Sequence, residues 1–117
     1  NKSLILINTK TTMKKGGFVY FMTNKSKTVL YVGVTSNLKN RVWEHQNHII
    51  PRSFTAQYNV EFLIYYEWFD SIVTAIEREK QIKNWTRKKK EFIISLKNEQ
   101  WQFLNEEVYS DIYSLLY

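Results

Sequence analysis

Residues 18–33, FVYFMTNKSKTVLYVG, contain two strand-like runs separated by a polar turn. Successive residues of a strand point to opposite faces, so the apolar side chains of both runs can share one face. These side chains are Val19, Phe21, Leu30 and Val32. A symmetric four-residue turn at 24–27 would place Tyr20 directly opposite Tyr31 on the second face. The stretch therefore predicts a β-hairpin that presents two phenol groups side by side.

The rest of the chain predicts one more strand and several helices. The aromatic and β-branched run VEFLIYYEWF at 60–69 is typical of a buried strand, and PRSFTAQYN at 51–59 of a polar loop. Ser36 or Asn37 can cap one helix, and Asp70 or Ser71 a second. The predicted helices end near His48, Trp85, Lys97 and Tyr117.

Composition restricts the class of protein. The chain has 117 residues, of which 44% are hydrophobic and 16% aromatic, and this favours one folded domain over a disordered chain. The absence of cysteine excludes a disulfide framework, a thiol nucleophile and a cysteine zinc site. No apolar run approaches the roughly 20 residues of a membrane span, so we expect no membrane partner and a cytoplasmic location.

Charge is distributed unevenly along the chain. The net charge is +6, yet residues 98–117 contain four acidic residues and no lysine or arginine. Residues 1–97 carry all seventeen basic residues against seven acidic ones. This excess predicts a polyanionic partner, and nucleic acid fits better than a membrane because no strongly amphipathic basic helix stands out. A basic surface that only keeps a small domain soluble is the alternative.

The chain divides into three segments by composition. Residues 1–16 form a polar leader ending in MKKG, residues 17–97 hold the main domain, and residues 98–117 form an acidic tail. Apolar residues of the tail recur at i, i+4, i+7 and i+8, which predicts one amphipathic helix over 105–117. They are Val108, Ile112, Leu115 and Leu116, with a second row of Tyr109, Tyr113 and Tyr117. The helix either packs on the far face of the sheet or covers the basic face as a lid.

Helical spacing places one carboxylate on an apolar face. In the helix that begins near residue 72, the apolar stripe consists of Ile72, Ala75, Ile76 and Ile82. Glu79 falls in the centre of this stripe, whereas Glu77 points toward solvent. A carboxylate on an apolar face is costly unless it is paired, hydrogen-bonded or bound to a metal. An ion pair with Lys83, one turn later, is the purely structural alternative.

The preceding helix carries two polar residues at the edge of its core stripe. The stripe consists of Leu38, Val42 and Ile49. Arg41 and His45 lie beside it, one turn apart. An arginine can extend across a core edge, and a single histidine is more often structural than catalytic. Together with Tyr20, Tyr31 and Glu79, however, they predict a polar cluster over one face of the sheet.

These residues occur in the order of a known family signature. FVY at 18–20 is followed by ten residues and then YVG at 31–33, R-x-x-x-H at 41–45 and AIEREKQIKNW at 75–85. Over roughly residues 17 to 95 the chain resembles the GIY-YIG nuclease superfamily, and it looks closest to the small single-domain bacterial members. Phe18 stands in place of the first glycine of the signature, and valine stands at both isoleucine positions.

The resemblance implies an α/β (α+β) fold with a small three-stranded antiparallel sheet flanked by helices, to which the tail adds a C-terminal helical extension. It also implies a DNA endonuclease that uses one divalent cation, Mg²⁺ or Mn²⁺. Because no separate sequence-reading module is present, we expect low sequence specificity. The implied site residues are the tyrosines Tyr20 and Tyr31, the arginine Arg41, the histidine His45 of some branches and the metal-binding glutamate Glu79.

Phosphodiester hydrolysis suggests a task for each of these residues. Glu79 would hold the cation, with waters and phosphate oxygens completing its shell, and no second carboxylate is predicted nearby. Arg41 would neutralise phosphate charge in the transition state. Tyr20 would orient or deprotonate the water once Arg41 and the metal lower its pKa. Tyr31 would position the phosphate, and His45 would relay a proton or donate to the phosphate.

Binding is expected along the basic run after the second helix. The candidate phosphate-contacting residues are Lys83, Arg87, Lys88, Lys89 and Lys90. Trp85 within this run is interpreted as a core residue rather than a base-stacking one. Gly33, opposite Phe18 in a symmetric hairpin, is expected to let the substrate backbone come close.

Two other classes of protein remain compatible with the sequence. One is a nucleic-acid binding module of the same fold with little or no turnover, and the other is a protein–protein adaptor whose polar cluster is structural. Metal-dependent cleavage separates the nuclease from both. Salt-sensitive DNA binding without cleavage indicates the binding module, and the absence of both activities indicates the adaptor.

Overall fold

The computed structural model describes residues 16–117, apart from the side chains of three tail residues. The predicted leader therefore lies, except for Gly16, outside the described residues. The strands are β1 (Gly17–Thr23), β2 (Leu30–Thr35) and β3 (Phe62–Phe69). The helices are α1 (Leu38–Gln46), α2 (Phe54–Gln57), α3 (Ile72–Lys83), α4 (Arg87–Lys97), α5 (Asn105–Tyr109) and α6 (Asp111–Leu116). None of the described helices has the length and apolar character needed to cross a membrane.

The three strands form one antiparallel sheet in the order β2–β1–β3. The central strand β1 is buried along its whole length because helices cover both faces of the sheet. One core contains Phe18, Tyr20 and Met22 together with residues of α1 and the tail helices. The opposite core contains Val19 and Phe21 with residues of α3 and α4. The predicted α+β fold with a C-terminal helical extension is confirmed.

The hairpin register differs from the symmetric one by two residues. Tyr20 pairs with Gly33, and Tyr31 pairs with Met22. The reason is the side chain of Asn24, whose Oδ1 accepts hydrogen bonds from the backbone amides of Thr28 at 2.9 Å and of the next residue at 3.0 Å. These amides are thereby withheld from the strand ladder, and β2 begins later. A shift by two keeps every side chain on its predicted face, so both tyrosines still share one face.

Side-chain hydroxyls and amides determine where the helices begin. Asn37 caps α1 by accepting from the amide of Asn40 at 3.0 Å, and Ser71 caps α3. The segment predicted as a plain loop contains the one-turn helix α2, capped by Ser53. Ile49 lies beyond the end of α1 and is 50% exposed, so its assignment to the core stripe was wrong.

The tail forms two short helices rather than one. Ser110 has an extended backbone (ψ 159°) and caps α6, which changes the direction of the chain between α5 and α6. Val108 and Tyr113 are buried on the Tyr20 side of the sheet, next to α1, and not on the far face. The predicted stripe residues Leu115 and Leu116 are exposed, whereas Tyr113 of the second row is buried and Tyr109 packs against the same core.

Candidate active site

Tyr20 lies on the sheet face where the polar cluster was predicted. Its side chain is fully buried, and its ring covers the backbone of Gly33 on β2. A Cβ atom added at Gly33 would lie 2.5 Å from the Tyr20 hydroxyl oxygen, closer than real Cβ atoms approach other atoms. The space at Gly33 is therefore filled by Tyr20 and is not open to a substrate backbone, which corrects the expected role of this glycine.

We expect Gly33→Ala to lower the free energy of unfolding by about 1–3 kcal/mol, because the new methyl group must displace the buried ring of Tyr20. Urea unfolding followed by tryptophan fluorescence measures the change. Ser36→Ala, at an exposed position nearby, is the control and should stay within about 0.5 kcal/mol of the parent chain. Equal stabilities of the two variants would show that the strand accommodates the methyl group without strain.

Two rings and one guanidinium surround Tyr20. Its hydroxyl oxygen lies 3.1 Å from Nε2 of His45. The ring of Tyr31 contacts both, with centroids 6.3 Å from Tyr20 and 5.5 Å from His45. Arg41 donates from Nε to Glu44 at 2.9 Å and acts electrostatically on Tyr20. The structure thus brings four of the predicted site residues together.

Burial dominates the protonation states of Tyr20 and His45. It raises the pKa of the Tyr20 phenol; the neighbouring Tyr31 adds to this effect, and Arg41 acts in the opposite direction. Burial, and then the positive charge of Arg41, lower the pKa of His45 to about 4. At neutral pH Tyr20 is therefore protonated and His45 uncharged. Without a metal, Arg41 alone does not bring the Tyr20 pKa below its usual value.

Glu79 is buried on α3, with 9% of its surface exposed. Its Oε2 lies 3.0 Å from Nζ of Lys83, which is the ion pair considered as the structural alternative. The neighbouring Ala75 and Ile82 pack on the sheet face opposite Tyr20. Within residues 16–117, no hydrogen bond or ion pair joins Glu79 to the four clustered residues, although its charge acts on Tyr20. The structure therefore brings four of the predicted residues into contact, and Glu79 interacts with them electrostatically through Tyr20.

The predicted phosphate-contacting residues lie at the surface and are partly engaged within the protein. They are Lys83, Arg87, Lys88, Lys89 and Lys90. Arg87 donates to the carbonyl oxygen of Thr28 at 2.8 Å, which ties the start of α4 to the hairpin loop. Nζ of Lys89 lies 4.3 Å from the ring centre of Trp85, and this tryptophan packs against the core beneath α3 and α4. Trp85 is partly buried, and its packing against the core agrees with its interpretation as a core residue.

A cleft of about 490 Å³ opens beside the cluster. Tyr31, Arg41 and His45 line it on one side, and the segment between α1 and β3 lines the other. This segment also supplies Thr55, a buried residue whose hydroxyl oxygen lies 3.1 Å from Nδ1 of His45. Sequence reasoning missed Thr55, since residues 51–59 lack periodicity. The sequence feature that could have indicated a helix start near Thr55 is Ser53, a helix-capping residue type two positions earlier.

The donor set fits a largely hydrated cation better than a cation enclosed by protein ligands. In the part of the chain that the structure describes, no group of three or more His, Asp or Glu side chains is placed to hold a metal. Mg²⁺ commonly keeps several waters and binds through one or two carboxylates together with substrate phosphates. Glu79, buried and paired with the mostly exposed Lys83, can supply one such carboxylate.

Comparison with known proteins places these features in a family. The family model described as the GIY-YIG catalytic domain matches residues 16–91. A UPF0213 protein of Natronomonas pharaonis is 36% identical over 78 residues, which cover 67% of this chain and 89% of the relative. A UPF0213 protein of Clostridium perfringens is 32% identical over 91 residues, covering 78% of this chain and 96% of the relative.

A solved structure is also similar. The NMR structure of a UPF0213 protein from Bacillus halodurans matches at 26% identity and a TM-score of 0.48, covering 74% of this chain and 89% of that chain. The segment matched by the family model runs from the start of β1 into α4 and includes all five predicted site residues. This chain belongs to the GIY-YIG family and has its nuclease-type fold.

Proposed function

We propose that the protein is a metal-dependent endonuclease that hydrolyses phosphodiester bonds of DNA with low sequence specificity. The observation that carries this proposal is the pair formed by the buried Tyr20 and the partly buried His45, which lies beside the guanidinium of Arg41 and next to an open cleft. Hydrolysis of a phosphodiester needs an activated water, positive charge at the scissile phosphate and a proton for the leaving oxygen. Membership of the GIY-YIG family supports the same reaction class.

Each clustered residue suits one of these tasks. Arg41 lines the cleft, and its guanidinium, oriented by Glu44, neutralises the charge that builds on the phosphate in the transition state. Tyr31 also lines the cleft and positions the phosphate. Tyr20 orients the water or takes its proton, and His45, 3.1 Å away, exchanges a proton with Tyr20.

Glu79 is proposed to hold one Mg²⁺ or Mn²⁺. When bound, the cation supplies Lewis-acid stabilisation of the phosphate oxygens. The side chain of Lys83, which pairs with Glu79, is 55% exposed and is therefore free to turn toward solvent and release the carboxylate. The basic residues at and after the end of α3 add contacts to phosphates that do not depend on sequence.

A cleavage screen tests the proposal. Duplex, branched and single-stranded DNA and RNA oligonucleotides are incubated with Mg²⁺, Mn²⁺ or EDTA, beside an identically purified Glu79→Ala variant. We expect metal-dependent cleavage of at least one DNA substrate. Salt-sensitive binding with no product on any substrate would contradict the nuclease and support the binding module. Equal product from Glu79→Ala would contradict the role of this carboxylate.

Arg41→Lys should reduce turnover by about 10²–10³-fold, because an ammonium cannot reproduce the planar, two-pronged contact to a phosphate. The substitution also shortens the reach to Glu44, which holds the guanidinium in place. Single-turnover cleavage measures the effect. Arg52→Lys, a matched change at an exposed position, is expected to leave the rate nearly unchanged. Full turnover of Arg41→Lys would remove Arg41 from the catalytic residues.

A further inference from the structure

The Tyr20–His45 pair continues as a chain of hydrogen-bonding groups toward the cleft. Nε2 of His45 lies 3.1 Å from the Tyr20 hydroxyl, and Nδ1 lies 3.1 Å from Oγ1 of Thr55. Oγ1 of Thr55 is in turn 3.1 Å from Oγ of Ser53. Tyr20 and Thr55 are buried, whereas Ser53 is partly exposed and lines the cleft. Three polar groups thus join a fully buried phenol to a surface that water reaches.

The direction of these hydrogen bonds follows from the groups around Tyr20. The guanidinium of Arg41 beside it has only donors, so Nε2 of His45 is the acceptor available for the Tyr20 hydroxyl proton. A neutral imidazole carries one proton, which must then be on Nδ1. Nδ1–H donates to Thr55, and the Thr55 hydroxyl donates to Ser53. All donors in this series of hydrogen bonds therefore point outward, toward the cleft.

The charge state of His45 fits this arrangement. Burial and the nearby Arg41 lower the pKa of His45 to about 4, so the imidazole stays neutral at neutral pH. A ring that does not hold a second proton has to pass one on from Nδ1 as it receives one at Nε2. This transfer requires an acceptor at Nδ1, and Thr55 is that acceptor.

We propose that Thr55 is a positioning residue that holds His45 in the Nδ1–H tautomer, and that Thr55 and Ser53 complete a path by which the Tyr20 proton leaves the buried site. The proposal rests on the proposed nuclease function and adds two residues from the segment between α1 and β3, at the start of α2. It assigns to this segment a task in proton transfer in addition to forming the wall of the cleft.

The transfer balances at every atom. The O–H bond of Tyr20 breaks as an N–H bond forms at Nε2 of His45, and the Nδ1 proton passes to Oγ1 of Thr55. The original Thr55 proton moves to Oγ of Ser53, whose own proton passes to a solvent water. Tyr20 is left as a phenolate that accepts from Nε2–H and from the guanidinium of Arg41. The imidazole and both hydroxyls end neutral, and no further reactant is required.

The tautomer is measured directly in the full chain by two-bond ¹H–¹⁵N NMR correlations of the histidine rings, with His48→Gln used to assign the second histidine. We expect Nδ1–H at His45 in the parent chain. Thr55→Val keeps the shape of the side chain but removes the hydroxyl, and should shift the ring toward Nε2–H. Thr55→Ser should retain the parent tautomer. An unchanged tautomer in folded Thr55→Val would overturn the proposal.

Turnover provides the second measurement. Thr55→Val should slow cleavage by about 10–100-fold with little change in KM, and Thr55→Ser should recover most of the rate. Ser53→Ala tests the path beyond Thr55, and should slow cleavage while leaving the His45 tautomer unchanged. If Thr55→Val fails to fold, Thr55→Ser and Ser53→Ala still test the proposal. A parent-like cleavage rate in Ser53→Ala would contradict the proton path through Ser53. The parent chain could also lack nuclease activity while its His45 tautomer still shifts in Thr55→Val. That result would refute the proposed function but retain the positioning of His45 by Thr55.

Discussion

Glu79→Ala is expected to reduce cleavage to the level that the parent chain shows in EDTA, while its affinity for DNA stays within about threefold of the parent. The substitution removes the carboxylate proposed to hold the cation that serves the transition state. DNA binding should persist because it arises from dispersed phosphate contacts of the basic surface. Folding should also persist, since the remaining partner, Lys83, is mostly exposed and is not left as a buried unpaired charge.

Glu77→Ala is the matched control for Glu79→Ala. It removes a carboxylate from the same helix, two residues earlier, at an exposed position. Cleavage assays, DNA-binding titrations and Mn²⁺-binding titrations of both variants separate loss of the metal from loss of DNA affinity. An inactive Glu77→Ala beside an active Glu79→Ala would mean that the wrong carboxylate was chosen.

Deleting residues 104–117 is expected to abolish cooperative folding. The deletion uncovers the core that Val108 and Tyr113 close, including the buried ring of Phe18. It also exposes the outer edge of β3, where the amide of Leu104 donates to the carbonyl oxygen of Leu63 at 2.7 Å. Circular dichroism and size-exclusion chromatography measure the outcome. A soluble, folded truncation that binds DNA more tightly at low salt would instead support the lid.

A graded variant tests the same contact without removing the tail. The side chain of Asn105 accepts from the amide of Leu63 at 2.8 Å and donates to the carbonyl oxygen of Glu61 at 2.9 Å. Asn105→Ala leaves both backbone groups without these partners and should cost about 1–3 kcal/mol of unfolding free energy. Leu116→Ser, at an exposed tail position, is the control and should be nearly neutral.

Periodicity in the sequence predicted the three strands and the longer helices, together with most of their buried residues. It did not predict the short helix α2 or the division of the tail at Ser110, and it wrongly placed the exposed Ile49 and Ile76 in apolar stripes. Val19 and Phe21 share one core, Tyr20 lies in the other, and Glu79 is buried within the apolar stripe of its helix. These features follow from the repeat of two residues in a strand and of 3.6 in a helix, which any segment carries by itself. The capping residues Asn37 and Ser71 act within three positions of their own helices, so they were also predictable.

Contacts between distant segments were decided by the tertiary structure. The bond from Thr55 to His45 spans ten residues across an aperiodic loop, and that from Asn105 to Leu63 spans 42. Neither leaves a local pattern, because each depends on how the intervening elements pack. For the same reason the sequence did not show that Glu79 belongs to a helix on the sheet face opposite Tyr20.

Within the hairpin, some features were determined by the sequence alone and others by the tertiary structure. Alternation determined which side chains of residues 18–33 share a face, since a shift by two residues leaves every face unchanged. Which residue stands opposite Tyr20 depended on the Asn24 side chain, which took two backbone amides from the strand ladder. Such competition between a side chain and the backbone for the same donors is settled only in three dimensions, and here it places Gly33, instead of a second phenol, directly across from Tyr20.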